Sequence, residues 1–128
     1  MPHPIMFSDD DPYLLRVREI ALALPDTTEV VAHGRPTFRC GKMFGNYGGS
    51  VKGSQDRHDQ SLLFIPDTSE REALLADSRF YLPAYLGAYG WLGILLDDDT
   101  DWTEVSELLD ASYRQIAPKK SIAKLEAQ

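Results

Sequence analysis

Phe80-Tyr81-Leu82-Pro83-Ala84-Tyr85-Leu86-Gly87-Ala88-Tyr89-Gly90-Trp91-Leu92-Gly93-Ile94-Leu95-Leu96 runs into Asp97-Asp98-Asp99-Thr100-Asp101-Trp102-Thr103-Glu104-Val105. This stretch decides the fold. An aromatic, glycine-punctuated segment with Pro83 at its head is irregular, because proline removes a donor and fixes its own φ. Trp91 to Leu96 is apolar at every non-glycine position, the pattern of a strand covered on both faces. An acidic turn follows, and Asp101 with Glu104 has the spacing of a helix cap. Trp102, Val105, Leu108, Leu109, Ser112 and Ile116 then fall on one helical face.

Upstream, Asp9-Asp10-Asp11-Pro12 is a helix start, with an Asp cap and proline in the first turn. Leu14, Val17, Ala21 and Leu24 recur at helical spacing up to Pro25, predicting a helix over about Pro12 to Leu24. Between Thr27 and Phe64 the pattern turns to short β-forming segments: Thr28 to Ala32, Pro36 to Cys40, Lys42 to Tyr47 and Ser61 to Ile65. Gly45, Gly48, Gly49 and Gly53 are expected around a hairpin tip. Dense turn signals with no intervening helix imply antiparallel pairing. Ser69 and Glu72 have capping-box spacing for a short helix reaching about Asp77. A last short helix is expected around Ser121 to Ala127. This order describes an α+β domain, most simply an antiparallel sheet with helices packed on one face.

At 128 residues the chain fits one domain, 1–128, with 1–8 and 126–128 expected as flexible ends. The single Cys40 rules out an internal disulfide. The N-terminus lacks the basic and apolar regions of a signal peptide, and no apolar run is long enough to span a bilayer. A soluble cytoplasmic protein is the expectation, with a monomer as the default state.

The net charge is −7, which repels nucleic acid and acidic membranes when taken globally. The charges are segregated, however. One basic island holds Arg35, Arg39, Lys42, Lys52 and Arg57, and a second holds Arg114, Lys119, Lys120 and Lys124. They either form one positive face or are ordinary solvated surface.

Catalytic constellations are weak. Cys40 could be a nucleophile with His33 or His58 as base, but it alternates with Phe38 in a strand pattern, and isolated cysteines are usually buried. Asp97, Asp99 and Asp101 alternate as in a calcium loop, yet Trp102 stands where glycine is required and Leu108 where a bidentate glutamate belongs. His3, His33 and His58 share no ligand spacing. The run from Gly45 to Ser54 does not match a phosphate-binding Gly-x-x-x-x-Gly-Lys-Ser/Thr order. No cofactor, metal or enzymatic activity is expected. Tyr81, Tyr85, Tyr89 and Trp91 are either stacking surfaces or packing for the loop.

Leu24-Pro25 with Thr28-Glu29, Phe38-Arg39-Cys40-Gly41-Lys42-Met43-Phe44, Pro83-Ala84-Tyr85-Leu86-Gly87, Gly90-Trp91-Leu92-Gly93-Ile94, Asp101-Trp102, Leu108-Leu109 and Ser112-Tyr113-Arg114 together resemble the MmcQ/YjbR family. The match runs from about Leu14 to Leu125. The resemblance implies a CyaY-like two-layer α+β sandwich and a DNA-binding role through a "double wing" of sheet hairpins. It carries over no catalytic residue. The fold is also similar to that of frataxin, which handles iron through acidic residues, but the acids from Asp97 to Asp110 form no matching motif.

Two functional expectations follow. In the first, Arg35, Arg39, Lys42, Lys52 and Arg57, helped by Arg114, Lys119 and Lys120, contact DNA phosphates. In the second, a pocket between the sheet and the Pro83–Trp91 loop takes a small molecule or a protein segment through Lys42, Tyr85 and Trp91.

Overall fold

The computed structural model describes residues 4–128. Six strands form one antiparallel sheet: β1 (Thr28–Ala32), β2 (Arg35–Cys40), β3 (Lys42–Ser50), β4 (Arg57–Phe64), β5 (Phe80–Tyr81) and β6 (Leu92–Leu95). Their order across the sheet is β1-β2-β3-β4-β6-β5. Among the described residues four α-helices accompany it, α1 (Pro12–Leu22), α2 (Arg71–Leu75), α3 (Trp102–Ile116) and α4 (Lys119–Glu126), with a short 3-10 helix at Leu86–Tyr89. The class is α+β. No described helix is long and apolar enough to cross a membrane.

Period-two alternation sorts the strand side chains onto two faces. Phe38, Cys40, Phe44, Tyr47, Leu62, Phe64, Phe80, Leu92 and Ile94 meet Leu14, Val17 and Ala21 of α1 and Val105, Leu109 and Tyr113 of α3 in the main core. Phe44 and Tyr113 contact edge to face at 5.3 Å between centroids. Asp11 caps α1, accepting from the Tyr13 and Leu14 amides, and its second oxygen accepts from the buried Tyr47 hydroxyl at 2.6 Å. Burial, reinforced by that carboxylate, pushes the Tyr47 phenol far above its ordinary value. Asp101 caps α3 through the Thr103 and Glu104 amides. Ser112 ties α3 to the sheet: its hydroxyl donates to Phe44 O at 2.6 Å and accepts from the Ile65 amide at 2.9 Å. Tyr113 donates to Pro25 O at 2.8 Å, and burial raises its phenol to about 12.

Several boundaries differ from the sequence expectation. Helix α1 ends at Leu22 rather than Leu24, because the chain must already turn ahead of Pro25; Leu24 still packs into the core. The Ser69–Glu72 capping box does not form: Ser69 is held by Asp67 instead, and α2 is a single turn without a side-chain cap. Strands β3 and β4 extend beyond the expected Tyr47 and Ser61, to Ser50 and back to Arg57. Gly45, Gly48 and Gly49 therefore lie inside β3, and the turn between β3 and β4 is made by residues 51–56. Helix α4 begins at Lys119, two residues before the expected Ser121. The N-terminal segment is anchored at Met6, whose amide donates to Gly34 O at 2.9 Å, and Phe7 packs against the core.

Candidate functional site

Among the described residues the second sheet face carries no α-helix. Over β4, β6 and β5 it is covered by the chain from Leu82 to Trp91, which closes a small core of Leu63, Tyr81 and Trp91. This segment is fastened to the β3–β4 hairpin: the Ala84 amide donates to Ser50 O at 2.8 Å, and the Lys52 amide to Leu82 O at 3.0 Å. Gly93 leaves room for the Tyr81 ring, whose hydroxyl shares a 2.7 Å hydrogen bond with Ser61. The part of the face formed by β1, β2 and β3 is left open. It forms a cleft of about 720 Å³ between those strands and the Ala84–Leu86 edge of the covering segment.

Arg35, Thr37 and Arg39 point into this cleft from alternate positions of β2, and Arg57 enters from β4. Met43, Leu63 and Leu86 supply apolar lining. The β3–β4 pairing shifts register between Tyr47 and Gly49. That irregularity brings Gly48, at φ 84°, beneath the Arg35 guanidinium. A Cβ at Gly48 would overlap Arg35 Nη1 and stand 3.0 Å from the Asp59 carbonyl oxygen. Glycine is required here on both counts.

The cleft electrostatics follow from few groups. Arg35 Nη2 pairs with Asp59 Oδ1 at 2.9 Å, and Arg57 with Asp59 Oδ2 at 3.0 Å. Arg35 Nη1 is buried without a hydrogen-bond partner, on a side chain only 9% exposed. Arg39 Nε donates to Thr37 Oγ1 at 3.0 Å, and Thr37 donates onward to Val30 O at 2.5 Å. Among the described residues Arg39 has no carboxylate partner, and no Asp or Glu lines the cleft. Three guanidinium groups set against the single carboxylate of Asp59 leave an excess of two positive charges. The molecule as a whole carries −7.

The remaining cations lie elsewhere. Lys42 is exposed at the β2–β3 turn, where Gly41 faces the Pro118 ring that precedes Lys119 and Lys120. The two basic islands of the sequence approach each other at this point. Lys52 is exposed on the β3–β4 turn. Arg114 is engaged by Asp110 at 2.6 Å and by Glu126 at 3.7 Å, and Lys124 by Asp26 at 3.0 Å. Of the three residues expected in a loop pocket, Tyr85 lines the cleft and is 90% exposed. Trp91 ends the covering segment and is buried in the small core, and Lys42 is not among the lining residues. Thr37, Met43 and Leu63 were not singled out by sequence; alternation with Arg35 and Arg39 was the only signal available for Thr37.

Cys40 lies on the helix side of the sheet, 2% exposed, its thiol facing Pro25 O at 3.6 Å. In the acidic turn, Asp97 accepts from the Asp99 amide and Asp101 from the first amides of α3. No group of three or more His, Cys, Asp or Glu among the described residues is arranged to hold a metal ion. His3 lies outside the described residues.

The sequence model of the YjbR family matches residues 22–115, which span β1 to the last turn of α3. The chain belongs to the YjbR family. No curated protein and no solved structure matches it.

Proposed function

We propose that this YjbR-family domain is a non-catalytic binding protein whose ligand site is the open-face cleft, and that the ligand is a small anion-bearing molecule. One observation carries the reading: Arg35, Arg39 and Arg57 converge in a concave site lined by no carboxylate, on a protein that is otherwise anionic. Guanidinium forks match carboxylate and phosphate oxygens in geometry as well as charge. A cleft of about 720 Å³ falls within the range of small-ligand sites. The non-catalytic part of the reading is supported by Cys40, the best nucleophile candidate, which is buried on the opposite side of the sheet.

The test is titration calorimetry with inorganic pyrophosphate at low ionic strength. Binding is expected, weakened at least about ten-fold in Arg39→Gln/Arg57→Gln, since each charge-assisted hydrogen bond contributes roughly 1.5–3 kcal/mol. No binding, or equal binding by the variant, overturns the cleft as the site.

A second reading, DNA binding through phosphate contacts, is favoured by the contact of Gly41, next to Lys42, with Pro118, next to Lys119. Lys52 and Arg57 on the β3–β4 hairpin would extend such a surface. Duplex DNA should then bind with a log–log salt slope near −0.9 per phosphate contacted. Lys42→Glu/Lys119→Glu should weaken all sequences alike. Binding absent at low salt, or independent of salt, removes this reading and leaves the first intact.

A further inference from the structure

Two features of the cleft are left unexplained by anion attraction alone. The first is Tyr85. It has φ 63° and ψ −70°, and the Leu86 amide donates back to Ala84 O at 2.7 Å. This is a three-residue γ-turn of the positive-φ form, which is rare and strained for a residue with a side chain. Such a conformation persists only where the surroundings impose it. Here they do: the Ala84 and Lys52 amides fasten the segment to the hairpin, and the Gly87 amide donates to Pro83 O at 3.1 Å. The strain brings no packing in return, since the ring is 90% exposed at the lip of the cleft. The turn leaves an exposed tyrosine side chain on the lining of the cleft.

The second is the uncompensated positive charge lining the cleft. Arg35 Nη1 is buried against Gly48, but among the described residues Arg39 has no carboxylate partner, and the three arginines exceed Asp59 by two charges. An excess of two matches a phosphate monoester, which carries about −1.5 to −2 near neutral pH, better than a single carboxylate. Met43, Leu63 and Leu86 add apolar lining to the same cleft.

We infer that the cleft takes a molecule of mononucleotide type: a planar ring stacked on Tyr85, joined to a phosphate monoester held by Arg35, Arg39 and Arg57. The inference rests on the cleft being the ligand site. An exposed tyrosine face stacks on any flat heteroaromatic ring, whereas an alkyl chain gains no such geometry from it.

Titration calorimetry of the full chain with adenosine 5′-monophosphate and with ribose 5-phosphate separates the parts, because the two share the phosphate and differ in the ring. The nucleotide is expected to bind about ten-fold or more tightly than the sugar phosphate. Tyr85→Ala should abolish that advantage and Tyr85→Phe should keep it, with unfolding temperatures confirming that both variants are folded. Equal affinity for the two compounds, or an advantage that survives Tyr85→Ala, overturns the inference while leaving the anion cleft standing. If neither compound binds while pyrophosphate does, this inference falls and the anion cleft stands; if pyrophosphate also fails to bind, both fall.

Discussion

Replacing Gly48 by alanine tests the architecture of the cleft in one step. Gly48 sits at φ 84°, where an L-residue with a side chain costs about 1–2 kcal/mol. A methyl group there would also overlap Arg35 Nη1 and crowd the Asp59 carbonyl at 3.0 Å. The guanidinium must move, and its 2.9 Å bond to Asp59 is lost or distorted, which costs a further 1.5–3 kcal/mol or so for a charge-assisted hydrogen bond. Together these predict about 2.5–5 kcal/mol, a large share of the stability of a domain this size. Gly53 is the internal control: it has φ 74° but nothing within 4 Å of its would-be Cβ, so Gly53→Ala should cost only the backbone part, about 1–2 kcal/mol. Urea unfolding followed by circular dichroism measures both. Introducing Gly48→Ala into an Arg35→Ala background should cost less than in the wild type, because the clashing group is gone. Equal losses for the two glycines, or a Gly48→Ala cost indifferent to Arg35, would falsify the placement of the guanidinium over β3.

Three further outcomes follow from the packing. Ser112→Ala removes the hydroxyl that joins Phe44 O and the Ile65 amide, leaving both backbone groups short of a partner; thermal unfolding should show a loss of about 2–4 kcal/mol. Asp11→Ala removes both the α1 cap and the acceptor of the buried Tyr47 hydroxyl, and denaturant titration should give a loss of about 2–3 kcal/mol. Tyr113, raised to about 12 chiefly by burial, and Tyr13, raised to about 12 by its hydrogen bond to Asp98, hold their protons to higher pH in the folded chain than a free tyrosine near 10. Their contribution is complete below pH 10 and is lost as pH rises towards 12. Unfolding temperature should therefore fall across that window, and a flat profile there contradicts the assignment.

Much of the fold was legible because local and global signals agree. Asp11 and Asp101 cap the helices that the periodicity of Leu14, Val17 and Ala21 and of Val105, Leu108 and Leu109 defines. The alternation of Cys40 with Phe38 pointed to a buried strand face, and both side chains lie in the main core. What could not be read depends on neighbours distant in the chain. Gly48 and Gly49 look like a turn, but they are strand residues thinned to admit Arg35 above one and Leu63 and Tyr81 beside the other. Arg57 joins the cleft from the part of β4 ahead of Ser61, whose polar run carries no strand signal of its own. Trp91 and Tyr85 carry the same aromatic signal, yet one is buried and the other exposed. The difference lies in the hydrogen bonds that pin the covering segment to the hairpin.

The most direct test of the anion cleft is a ¹H–¹⁵N correlation spectrum recorded during titration with pyrophosphate. Amide shifts should concentrate at residues 35–39, 46–50 and 84–86, which line or support the cleft. Shifts centred instead on Lys42, Lys119 and Lys120, or no shifts at all, would contradict it.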